Sequence, residues 1–189
     1  MIDSNNISTC GNRSVNVSDH ATTAQGSARL THCGELFVNF ANGTFQWVDV
    51  QRFSVAAGVG DREALALLIS DGRYGCDYAG GAPGQDPDRH GPYWRERITP
   101  DAFDLTDADA EEHRLRAWAG QHAELSNRLR SELEVALYGP LRAADRVYRL
   151  RDLGEAAFHD WGGVHLSFHE LALIDRAAGT LALVVAADD

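Results

Sequence analysis

Leu36-Phe37-Val38-Asn39-Phe40-Ala41-Asn42-Gly43-Thr44-Phe45-Gln46-Trp47-Val48-Asp49-Val50 is the stretch whose reading decides the fold. Two runs rich in β-branched and aromatic residues flank Asn42-Gly43. That dipeptide fits a type I′ turn, in which both central residues need positive φ. The stretch therefore predicts a β-hairpin. Arg52 to Val55 either extend its second strand or bend away from it.

Upstream, order is expected to begin near Glu35. Residues 1–28 are polar and almost without periodic apolar signal, so they read as a flexible leader, with residues 29–189 as a single α+β domain. The leader has no apolar core of export-signal type. No run approaches the ~18 consecutive apolar residues of a membrane span. The expected location is the cytoplasm, and the Asn-x-Ser/Thr sequons at Asn6, Asn12, Asn16 and Asn42 read as chance.

Downstream, Asp61 opens a helix over Arg62 to Ser70, stopped at Asp71-Gly72. Arg73 to Pro100 then holds five glycines and four of the five prolines, which marks a long loop. Thr106 begins the longest element. Asp107, Asp109, Glu111 and Glu112 suit the positive end of a helix dipole. Leu115, Trp118, His122, Leu125, Leu129, Leu133 and Leu137 follow at steps of three and four, forming one apolar stripe. The stripe reads as core, with His122 at least partly buried, and Gly139-Pro140 reads as a stop. Arg146 to Leu150 adds a strand. Val164 to Ile174 and Thr180 to Ala187 form a second hairpin about Asp175 to Gly179. The expected fold is α+β: an antiparallel sheet built from the N- and C-terminal hairpins, packed on one side by helices including one long amphipathic helix.

Composition narrows the chemistry. All 17 basic residues are Arg. Without lysine there is no Schiff base to pyridoxal phosphate and no P-loop nucleotide site. Three cysteines, Cys10, Cys33 and Cys76, form neither a disulfide framework nor a CxxC zinc motif. A net charge of −11 argues against nucleic acid and anionic membranes as partners. No GxSxG or GxGxxG occurs.

The densest reactive cluster runs from Phe158 to Glu170, with three of the eight histidines inside eleven residues. On a strand from Val164 to Ile174, period-2 alternation places His165, Ser167 and His169 on one face and Glu170 on the other. His165, His169 and Glu170, with His159, are the candidate acid–base residues. An acid on an apolar face needs a partner or carries a raised pKa. The plainer alternative sets His165 and His169 on a solvated face and pairs Glu170 with Arg146 or Arg149. A metal is not excluded, but histidines at i and i+4 of a strand stand roughly 13 Å apart, too far to share one ion. In the Gly/Pro-rich loop, Tyr78, His90, Tyr93 and Trp94 are the candidate substrate lid.

Two functions follow. One is a small bacterial-type enzyme acting on a small-molecule metabolite by His/carboxylate chemistry, as a lyase, isomerase, cyclase or hydrolase, a biosynthetic pathway being one setting for it. The other is a non-catalytic acidic binding protein of immunity or antitoxin type, whose partner is a basic protein. A cavity reached by at least two of His165, His169 and Glu170 favours the enzyme. Three side chains on separate surfaces favour the protein partner.

Overall fold

The computed structural model describes residues 29–75 and 87–188. Helices and one antiparallel sheet make an α+β fold. The strands are β1 (Leu30–Asn39), β2 (Gln46–Val55), β3 (Arg89–His90), β4 (Tyr93–Trp94), β5 (Phe103–Thr106), β6 (Arg146–Leu150), β7 (Ser167–Asp175) and β8 (Thr180–Asp188). The helices are α1 (Asp61–Ser70), α2 (Ala108–Ala119), α3 (Asn127–Leu133) and α4 (Gly139–Ala143), with a π turn at Glu134–Tyr138 between the last two. Six strands form the sheet in the order β1-β2-β8-β7-β6-β5, and every neighbouring pair is antiparallel. The two short strands β3 and β4 make a separate ribbon.

Both terminal hairpins form, and the C-terminal one fills the middle of the sheet. Leu181 to Ala187 is a nearly unbroken apolar run, as expected of a strand covered on both faces. The covering is the first departure from expectation. One face packs on α2, α3 and α4 through Val48, Val50, Leu171, Leu173, Val184 and Ala186. The other packs on α1 and on the segments around β3, β4 and residues 150–158, through Phe53, Ala172, Ile174, Leu183 and Val185. Helices therefore lie on both sides of the sheet, not one.

The first hairpin begins at Leu30, five residues before Glu35, with a bulge between His32 and Gly34. Its connection is not a two-residue type I′ turn. Phe40 N–H donates to Gln46 O at 3.0 Å across a wider loop. Positive φ falls at Ala41, Gly43 and Phe45, and not at Asn42. Asn39 Oδ1 accepts from Ala41 N, and Asn42 Oδ1 accepts from Thr44 N, so side-chain turns shape the loop.

The long helix is two helices. Gly120 caps α2, and Ser126 opens α3 by accepting the Leu129 N–H on its hydroxyl at 3.2 Å. Leu115, Trp118, Leu129, Leu133 and Leu137 are buried as the stripe requires, but His122 sits in the break and is exposed. Nor does Gly139-Pro140 stop the chain. The Gly139 N–H reaches back five residues to Glu134 O. This widened turn admits Pro140, which has no N–H to give, and α4 continues beyond it.

Candidate functional site

Glu170 lies on β7 with its side chain on the α1 side of the sheet, fully buried. It pairs with neither Arg146 nor Arg149. Tyr74 Oη donates to Oε1 at 2.7 Å, and His90 Nε2 lies 2.7 Å from Oε2. His90 Nδ1 meets the Tyr74 carbonyl oxygen, and the two rings stack at 3.8 Å. A carbonyl only accepts, so the Tyr74 contact calls for the His90 tautomer with its hydrogen on Nδ1. The network fastens the chain after α1 and the β3–β4 ribbon to the centre of the sheet. His90, expected in a lid, is instead part of the packed interior.

A second buried acid stands nearby. Asp49 on β2 faces the same side, and cross-strand pairing sets Phe37, Asp49, Val185 and Glu170 in one row. Gln51 Nε2 donates to Asp49 Oδ1 at 3.1 Å, and Gln51 Oε1 lies 3.0 Å from His32 Nε2. Burial raises the Asp49 carboxyl above the ordinary range, offset by the Gln51 hydrogen bond and raised further by Glu35. Sequence reading passed over Asp49. Its alternation with Val48 and Val50 is what a strand with one solvated face would show.

His169 points the other way. It sits under the helical layer with its ring edge-on to Trp118 at 5.7 Å. Burial, and then Arg114, pushes its pKa below the usual value, against the opposing pull of Asp188 and Glu111. His165 is not in a strand at all. Residues Gly162–Val164 form a helical turn, and β7 begins only at Ser167. That removes the alternation on which His165 and His169 were expected to share a face. His165 instead packs beside Phe168, on the Glu170 side of the sheet, and lines a cleft of about 270 Å³.

That cleft gathers Tyr93, Arg151, Asp152, Phe158, His165 and Phe168. Tyr93 Oη donates to Asp152 Oδ1 at 3.2 Å and accepts from Leu153 N at 3.3 Å. Burial pushes the Tyr93 phenol up to about 12. Of the expected site residues, the structure brings His165 and Tyr93 together here. His169 and Glu170 do not line it. Tyr78 falls outside the described residues. Trp94 stands edge-on to His159 at 5.9 Å.

His159 is buried, and both ring nitrogens hold backbone. Nε2 donates to Gly91 O at 2.7 Å, and Nδ1 accepts from Trp161 N at 2.9 Å. Three residues on, a side chain on Gly162 would place its Cβ 2.3 Å from Pro92 O and 2.8 Å from Phe158 Cβ. Only glycine allows that approach. Beyond these two anchors the loop displays Trp161, Val164 and Leu166, which are 57%, 41% and 78% exposed. Exposed Asp152, Glu155 and Asp160 stand along the same connection, with Arg89 paired to Asp160 at 3.0 Å.

No protein-family model, curated protein or solved structure matches this chain. Among the described residues, no helix is long and apolar enough to cross a membrane. No three His, Cys, Asp or Glu side chains among them are grouped to hold a metal ion.

Proposed function

We propose that this chain is a binding protein that docks a basic protein through the loop from Asp160 to Leu166 and the cleft beside it, acting in the cytoplasm. One observation carries the reading. A loop clamped by His159 and Gly162 holds Trp161, Val164 and Leu166 out in water when burying them would be favourable. A loop held in place loses little freedom on binding, and tryptophan is among the residues enriched at interface hot spots. The net charge of −11 and the acids Asp152, Glu155 and Asp160 steer a cationic partner towards it. The placement of His165, His169 and Glu170 supports the same side of the choice. One lines the cleft, one lies under the helices, and one is locked between Tyr74 and His90.

The enzyme reading has one observation in its favour: His165, Tyr93 and Asp152 share the cleft with Arg151. In that reading a small anionic metabolite binds Arg151, and His165 moves the proton.

Affinity capture separates the two. Full-length chain on a support is expected to retain a basic protein in near-equal amount, and the variant Trp161→Ala with Leu166→Ala to lose it while keeping its circular dichroism and Tm. Retention by the variant contradicts the proposal. So does a metabolite that raises the Tm of the wild type and not of His165→Asn.

A further inference from the structure

A larger cavity, about 810 Å³, opens on the opposite side of the sheet between the end of α2, the break after Gly120, and α3 with its π turn. Its apolar wall is Leu125, Leu133 and Val135, with Val135 69% exposed at the lip. Tyr138 lines it and is itself buried, yet its hydroxyl has no hydrogen-bond partner among the described residues. A buried hydroxyl left unpaired is costly and calls for a partner. Burial pushes this phenol up to about 12, so it keeps its proton and offers a donor.

The charged groups around the cavity are unequally committed. Arg116 lies over the Tyr138 ring at 3.8 Å and binds Glu112 and Glu134. Arg142 takes the same two acids. Arg130 donates Nε to Leu125 O at 3.0 Å, and its only ion pair among the described residues is 3.5 Å from Glu124, a side chain that projects into water. Its remaining guanidinium donors are uncommitted among the described residues. The cavity thus offers two donors, one neutral and one cationic, beside an apolar wall, with the Glu124 carboxylate at its rim turned to water. The π turn that carries Tyr138 has a structural cause in Pro140, and such turns also recur at functional sites.

We infer that this cavity binds an amphipathic monocarboxylate, its apolar body against Leu125, Leu133 and Val135 and its carboxylate on Arg130 and the Tyr138 hydroxyl. The net charge of −11 opposes any anion at long range, so recognition rests on these short-range donors and works at physiological salt, where exposed charges are screened beyond ~8 Å.

The test is a nitrogen-15 NMR titration of the full chain with sodium hexanoate and, separately, with hexan-1-ol. Saturable shifts are expected over residues 116–138 with hexanoate, and weaker binding by the alcohol. Tyr138→Phe should weaken hexanoate about fivefold, the effect of one neutral hydrogen bond, and Arg130→Gln about tenfold, the effect of a charge-assisted one. Tyr138→Phe should leave the ligand-free Tm unchanged or higher, since it removes an unpaired buried hydroxyl. Hexanoate that shifts nothing in 116–138, equal binding of the alcohol, or unchanged affinity in both variants overturns the inference. Trp161→Ala leaves hexanoate binding intact, so this result stands apart from the docking loop.

Discussion

His90 and Glu170, eighty residues apart in sequence, meet at 2.7 Å with both side chains out of solvent. Tyr74 shares the carboxylate, so the acid serves as a lock between the sheet and the segment laid across it.

The lock predicts the cost of breaking it. A carboxylate offers an acceptor oxygen to Tyr74 and another to His90, whereas leucine, of similar volume, offers neither and sets both polar groups against an apolar side chain. Glu170→Leu should destabilise the chain by about 3–5 kcal/mol, the range for removing one member of a buried pair. Urea denaturation measures it. A midpoint unchanged by the substitution contradicts a structural role and returns Glu170 to the list of functional acids.

Gly43 stands at φ +81 in open space, so a side chain there meets no atom but strains the backbone. Gly43→Val is expected to cost about 1–3 kcal/mol through φ alone. An equal denaturation midpoint contradicts the turn geometry.

The broken stripe makes a paired prediction. Leu129→Ala should cost about 2–5 kcal/mol because the side chain is buried against the sheet. His122→Ala, seven residues earlier on the same expected stripe, should stay within about 0.5 kcal/mol because it lies exposed in the break. Similar losses at both positions would restore the single helix.

His169 gives the chain a pH dependence. Its pKa in the fold lies below the 6.5 of an ordinary histidine, chiefly because it is buried. The unfolded chain therefore binds the proton more tightly, and stability falls as pH drops below 6.5 towards the lowered folded value. Wild type should lose stability relative to His169→Gln between pH 7.5 and 5.5. A gap that stays constant or moves the other way contradicts the burial of His169.

The sequence carried local order well and long-range pairing poorly. The hairpins and the helix at 61–70 came from turn residues, stop signals and apolar runs that act within a few positions. Asp61, expected as the cap, lies inside the helix with its carboxylate on Tyr148 and Arg176, and Gly60 holds the cap position with no side-chain bond. The split between α2 and α3 was also written locally, in Gly120 and Ser126, but the regular leucine spacing outweighed those signals. β5, four residues with Leu105 exposed, carries too short a pattern to stand out. Asp49 and Gln51 looked like a solvated strand face, because nothing local says that a second layer covers it. His90 beside Glu170 depends on how a glycine- and proline-rich segment lies across the sheet, which no periodicity encodes. His165 was misplaced because Gly162-Gly163-Val164 forms a turn where strand alternation had been extrapolated.

The docking loop is the central claim, and the affinity of the captured basic partner tests it most directly. Titration calorimetry of that partner against wild type, Gly162→Ala, and Trp161→Ala with Leu166→Ala, at low and high salt, is the measurement. We predict weakening of about a hundredfold in the double variant, as for loss of a hot spot of ~3 kcal/mol. Gly162→Ala should also weaken binding, since its Cβ displaces the loop from Pro92. Affinity should fall with added salt for every chain that still binds. A double variant that binds as tightly as wild type would contradict the account, as would a wild-type chain that forms a dimer through Trp161 in place of the partner.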